Sequence, residues 1–117
     1  MSLTQETLRA LIEDGAFELY GQPKWTFGKN TCNTYEVFAE VLHLPGGETV
    51  PGYGYVRRVT AERHTSTVFS DWFMKSALGM IRRLIDQIGC DLVVAINVWP
   101  HSVNCPDFVE KTKAELD

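Results

Sequence analysis

An α/β fold with helices covering a sheet is predicted for this chain of 117 residues on three observations. Leu92 to Val98 is nearly continuous hydrophobe, the pattern of a strand covered on both faces in a parallel sheet. Just before it, Phe73, Met74, Ala77, Leu78, Ile81, Leu84, Ile85 and Ile88 keep helical spacing until Gly89 ends the run. Earlier, Tyr35, Val37, Phe38 and Val41 make Thr34 to Leu44 rich in β-formers.

Taken in chain order, Thr4 is a plausible N-cap for a short helix over residues 4 to 14, with Leu8, Leu11 and Ile12 on one face and Gly15 at its stop. Phe17, Leu19 and Gly21 then alternate with Glu18, Tyr20 and Gln22 as a strand does, until Pro23 marks an edge or an end. Gly28 to Asn33 has turn composition. In the second strand, period two puts Glu36, Phe38, Glu40 and Leu42 on one face and Tyr35, Val37, Ala39 and Val41 on the other.

Pro45, Gly46 and Gly47 break that strand, and Pro51 begins a helix carrying Tyr55, Val56 and Val59 to about Arg63. Ser70 or Asp71 caps the long helix after it. Pro100 terminates the last strand, and Pro106 opens a closing helix with Phe108 and Val109 facing inward and Leu116 as a further candidate. Three strands make a poor sheet on their own. A parallel α/β barrel needs about 250 residues, so the chain has roughly half the length of one.

Composition narrows the function classes. With 44% hydrophobic residues and a net charge of -4, the chain can bury one core, so residues 1 to 117 read as a single domain. No run approaches a membrane span of about 18 apolar residues, and no secretory signal opens the chain, which makes a cytoplasmic protein the simplest expectation. The acidic balance argues against a nucleic-acid polymer as partner, and the pairs Arg57-Arg58 and Arg82-Arg83 read as solvated helix faces. Cys32, Cys90 and Cys105 fit reduced thiols better than a disulfide framework or a zinc site.

Among candidate functional residues, Asn97 interrupts an apolar strand at its carboxyl end, where parallel α/β folds bind ligands. An Asn there also serves simply to hydrogen-bond the loop backbone. Glu36 and Glu40 share a strand face, which suits metal ligation or acid/base work, and equally suits a half-exposed strand pointing carboxylates to solvent. His43, His64 and His101 lack ligand spacing and read as surface or loop residues. Trp72 and Trp99 read as packing groups.

Several segments recur together in order: Phe17-Glu18-Leu19-Tyr20-Gly21-Gln22-Pro23, Tyr35-Glu36-Val37-Phe38, Pro45-Gly46-Gly47, Pro51, Asp71-Trp72, Asp91 to Pro100 and Pro106-Asp107-Phe108. This series resembles an EAL domain, the family of cyclic di-GMP phosphodiesterases and their degenerate relatives. The resemblance runs from about Leu8 to the last residue and covers only the amino-terminal half of the family's domain. It implies a partial (β/α)8, TIM-like barrel of about three strands with flanking helices, the first strand antiparallel to the rest.

The resemblance also assigns roles. Glu36 and Asn97 stand in metal-ligand positions, with Glu40 as the alternative register for the signature glutamate, and Gln22 stands near the dinucleotide. Magnesium or manganese would activate a water that attacks a phosphodiester, in a two-metal arrangement that suits such chemistry. Glu40, however, replaces the family's phosphate-facing arginine, and the remaining acidic ligands, the lysine and the general base belong to later strands. The expectation is therefore a truncated or degenerate module, non-catalytic alone, that acts through self-association or a protein partner and holds no metal tightly. The alternative is a phosphodiesterase completed by a missing carboxyl-terminal half or by oligomerisation. Cyclic di-GMP is the candidate ligand.

Overall fold

The computed structural model describes residues 4–26, 31–44, 46–89 and 93–116, with the side chains of residues 25, 26, 31–33, 40 and 41 outside that description. Its elements run α1 (Gln5–Glu13), β1 (Phe17–Thr26), β2 (Thr31–His43), β3 (Thr49–Pro51), α2 (Gly52–Ala61), α3 (Arg63–Ile88), β4 (Val93–Ile96), α4 (Pro100–Val103) and α5 (Phe108–Leu116).

Among the described residues the sheet has four strands, built on β2. β1 runs antiparallel along one edge of β2, from Phe17 opposite Leu42 to Thr26 opposite Thr31. The other edge is shared, because Thr34 to Val37 also pair in parallel with Val93 to Ile96, and Val41 to His43 pair antiparallel with Thr49 to Pro51. The antiparallel first strand and the parallel β2–β4 pair match the expected arrangement. The three-residue β3 is an addition to it, since a segment that short has no periodicity to read.

Capping explains how α1 begins. The Thr4 side chain accepts a hydrogen bond from the Thr7 backbone N–H at 3.0 Å, satisfying one of the donors a helix start leaves open. β1 continues past Pro23, which pairs with Tyr35, because on an edge strand a missing N–H costs no ladder bond.

The long helix corrects the expected boundary at Ser70 or Asp71. α3 begins at Arg63, and both residues lie inside it. The break from α2 falls at Glu62, whose extended backbone (φ -108, ψ 135) turns the chain. The Thr65 hydroxyl then donates to the Val59 carbonyl at 2.5 Å across that turn. Thr65, Ser66, Val68 and Phe69 are buried, so packing draws this polar and β-branched stretch into the helix against its weak propensity. At the far end Gly89 takes a left-handed conformation (φ 76) and donates to the Ile85 carbonyl, the stop expected of it.

Helices cover one face of the sheet. Leu8 and Leu11 of α1, Tyr55 and Val59 of α2, and Phe69, Phe73 and Ala77 of α3 form the core with Phe17, Val37, Ala39 and Leu42 of the strands. Phe69 is its hub: the rings of Phe17, Trp72, Phe73 and Trp99 all lie within 5.8 Å of it, centroid to centroid. Trp72 and Trp99 are packing groups, as expected.

Three expectations of burial are corrected. Leu42 is buried with Val37 and Ala39 instead of sharing a face with Glu36 and Phe38. The cause is a bulge: Leu19 pairs with Ala39 and Glu18 with Val41, so Glu40 is an extra residue and the alternation changes beyond it. β4 is covered on one face only, with Val93 and Ala95 exposed and Val94 and Ile96 partly buried against the core. Finally, Val109 and Leu116 of α5 are exposed, leaving Phe108 as the half-buried anchor of that helix. No described helix is long and apolar enough to cross a membrane.

Candidate functional site

The uncovered face of the sheet carries the polar residues singled out in the sequence. Strand pairing sets Gln22 of β1 opposite Glu36 of β2, and Glu36 opposite Ala95 of β4. Residues so paired project to the same face. Lys24 comes two residues after Gln22, and its Nζ lies 2.7 Å from Glu36 Oε1. The Glu36 side chain retains 21% exposure and that of Lys24 50%, so the pair sits at the surface of the sheet rather than in a sealed interior.

Asn97 lies one residue past Ile96, the last residue of β4. By period two it projects to the same face as Ala95, and so as Glu36. Its position is fixed by Trp99 and α4. The Trp99 ring packs edge-on against Phe69 and Phe73, each at 5.4 Å, and Pro100 opens α4. His101 Nε2 lies 3.2 Å from the Ala61 carbonyl, tying α4 to the end of α2. The Asn97 side chain is exposed and makes no hydrogen bond among the described residues, so the loop-backbone bond that was the alternative expectation is not formed there.

Gln22 and Asn97 meet at a cavity of about 610 Å³, whose lining includes Phe38, Tyr53, Arg57 and Trp99. Glu36 is not part of that lining; it is directed to Lys24 instead. The expected site is thus divided, with Gln22 and Asn97 on the cavity and Glu36 in an ion pair beside it. Among the described residues Arg57 is the one charged side chain lining the cavity, where the sequence suggests a solvated helix face. Its place in the helix that leaves the sheet after Pro51 was the available signal.

The side chain of Glu40, the expected counterpart of a phosphate-facing arginine, lies outside the described residues. Its backbone is the bulged position of β2. The Cys32 side chain and the whole of Cys90 likewise lie outside the description, while Cys105 is a half-buried free thiol whose Sγ is 3.3 Å from the His101 carbonyl.

A polar cluster stands near the carboxyl end of β2. Glu18 accepts a hydrogen bond from the Tyr20 hydroxyl through Oε2 and pairs with His43 Nε2 through Oε1. The Tyr20 bond, and after it the His43 bond, holds the Glu18 carboxyl below its ordinary range. His43 was expected to be a surface or loop residue, and its partner Glu18 comes from the neighbouring strand, where a short sequence spacing does not reveal it.

A magnesium or manganese ion takes about six oxygen ligands. The expected positions supply one carboxylate, already neutralised by Lys24, and one neutral amide. Among the described residues no group of three or more His, Cys, Asp or Glu side chains is placed to hold a metal. This donor set does not fit a resident divalent ion by itself.

Neither a protein-family profile nor any curated protein sequence matches the chain. Solved structures do. The chain is similar to the EAL enzyme Bd1971 in its cAMP- and cyclic-di-GMP-bound form, with a TM-score of 0.81 and 18% identity over 95% of this chain and 31% of that one. The cAMP-bound form gives a TM-score of 0.81 and the cGMP-bound form 0.79, each at 18% identity and covering 95% of this chain and 32% of the other. The chain thus spans about a third of the length of the structures it matches. At this identity the likeness is one of fold, and the fold of this chain is that of part of an EAL enzyme.

Proposed function

We propose that this chain is a degenerate EAL-type signalling module, related to cyclic di-GMP turnover, that does not hydrolyse the dinucleotide alone and acts in the cytoplasm through self-association or a protein partner. The observation that carries this reading is the Lys24–Glu36 ion pair, which occupies the carboxylate at the signature position. A hydrolase of this type would need that carboxylate for metal, together with further ligands and a placed base. The uncovered strand face favours association: Val93, on that face beside the outer edge of β4, is 60% exposed.

Two measurements test it. Cyclic di-GMP incubated with the chain and either magnesium or manganese should remain intact by chromatography, and turnover that disappears in Glu36→Ala would defeat the non-catalytic reading. Light scattering should give a mass that rises with concentration, and falls toward that of one chain in Val93→Lys; a monodisperse monomer at every concentration would defeat the association.

A second reading is a cyclic di-GMP phosphodiesterase completed by a further portion of barrel or by oligomerisation. It is favoured by the relation of lengths, since the EAL enzyme structures are about three times as long as this chain, and one of them is described as bound to cyclic-di-GMP. Under this reading Glu36 and Asn97 are metal ligands for magnesium or manganese in the completed site, and Gln22 and Arg57 contact the dinucleotide. A longer chain with additional acidic strand ends would then hydrolyse cyclic di-GMP only with metal, and lose that activity in Asn97→Ala.

A further inference from the structure

Gln22, Asn97 and Arg57 line the sheet-face cavity, and all three residues are exposed. None of them makes a side-chain hydrogen bond or ion pair among the described residues. Beside them the wall is aromatic, with Phe38, Tyr53 and Trp99. At about 610 Å³ the volume suits a small organic molecule, and an apolar wall with a few placed polar groups is the usual make-up of such a site.

Two features separate this cavity from a metal-dependent phosphodiester site. The first is the metal. Glu36 is outside the lining and paired with Lys24, and no carboxylate among the described residues lines the cavity. A divalent cation carried in with a ligand would meet only neutral oxygens there, which hold magnesium or manganese poorly.

The second feature is charge. A cyclic dinucleotide carries two phosphates, each with one negative charge, whereas Arg57 is the one cation of the described lining. The second phosphate would rest against amides and rings with its charge unpaired, at a cost in desolvation. A single carboxylate, by contrast, matches one guanidinium through two parallel N–H donors. The amides of Gln22 and Asn97 add neutral donors, and the aromatic wall offers faces and edges to a flat ring.

We propose that this cavity binds a flat aromatic molecule with a single negative charge, its carboxylate held by Arg57, without a divalent metal. This rests on the non-catalytic reading of the sheet face and names the class of ligand that such a face selects. The poor fit to a metal is then a change of specificity as well as a loss of chemistry.

The test uses the full chain with 15N-labelled tryptophan, in EDTA, titrated separately with naphthoate, neutral naphthylmethanol and a doubly charged naphthalene dicarboxylate. Trp99 lines the cavity and Trp72 does not, which makes the second indole an internal control. The expected result is a saturable shift of Trp99 with naphthoate, no matching shift of Trp72, and the same affinity when magnesium replaces EDTA. The alcohol should bind about tenfold more weakly for want of a charged hydrogen bond, and the dicarboxylate no more tightly than naphthoate. Arg57→Gln should bring naphthoate to the level of the alcohol. A Trp99 signal that does not saturate, or an alcohol that binds as tightly as naphthoate in the unaltered chain, overturns the ligand class and leaves the non-catalytic reading standing. Tighter binding of the dicarboxylate or of cyclic di-GMP in EDTA overturns it as well. Binding of naphthoate only with magnesium overturns both readings.

Discussion

Lys24 Nζ lies 2.7 Å from Glu36 Oε1, so the carboxylate proposed for the signature position is paired with a cation from the neighbouring strand. An ion pair this open to solvent contributes little to stability, on the order of 0 to 1 kcal/mol. Its consequence is for ligation. Manganese titrated into isotope-labelled protein should broaden resonances near Glu36 only weakly. Lys24→Met should strengthen that broadening and Glu36→Gln abolish it, while urea midpoints of both variants stay close to that of the parent chain.

Phe69 is fully buried and touches four aromatic rings. Phe69→Ala should therefore cost about 3 to 5 kcal/mol of stability, as large-to-small changes in aromatic cores do. Chemical denaturation measures this directly. Trp99 packs on the same ring, so the variant should also shift the resonances of Asn97, two residues before it.

Tyr55 gives the opposite expectation. The residue is 7% exposed and its hydroxyl is buried without a partner. Burial pushes its phenol pKa up, with Arg58 opposing the shift. Tyr55→Phe removes an unsatisfied oxygen while keeping the ring beside Phe17, at 5.9 Å, and should leave stability unchanged or raise it by about 1 kcal/mol. A thermal melt that falls by several degrees would contradict this.

Acid should weaken the link between β1 and the end of β2. The Glu18 carboxyl, with an ordinary value near 4.5, is lowered by its bonds from Tyr20 and His43. A lowered folded pKa means the unfolded chain takes up protons first, so the stabilisation is complete above the ordinary value and is lost as pH falls through the folded one. Glu18→Gln should flatten the acid limb of a plot of melting temperature against pH, with the neutral limb little changed.

The parts of the fold legible in the sequence are those with local causes. Thr4, Gly15 and Gly89 mark helix ends through caps and left-handed glycine, and the alternation of Phe17 and Leu19 with Glu18 and Tyr20 marks a strand. The start of α3 was not legible, because Thr65, Ser66 and Val68 join the helix through burial against neighbours distant in sequence. The same holds for the site. Asn97 stands out as a polar break in an apolar run, whereas Gln22 is singled out only by the resemblance to the EAL family. Lys24 gains meaning only from strand pairing, and Arg57, whose one sequence signal is its helix following Pro51, from the cavity that the folded chain places beside it.

Side-chain direction in a strand is a matter of odd and even, and the bulge at Glu40 exchanges the two within β2. Val37 and Ala39 are buried as odd positions, whereas Leu42 is buried as an even one. A chain lacking Glu40 would bring Leu42 to the second position after Ala39, so that a single parity would hold all three residues inside. One surplus residue therefore lets two incompatible countings coexist on a single strand.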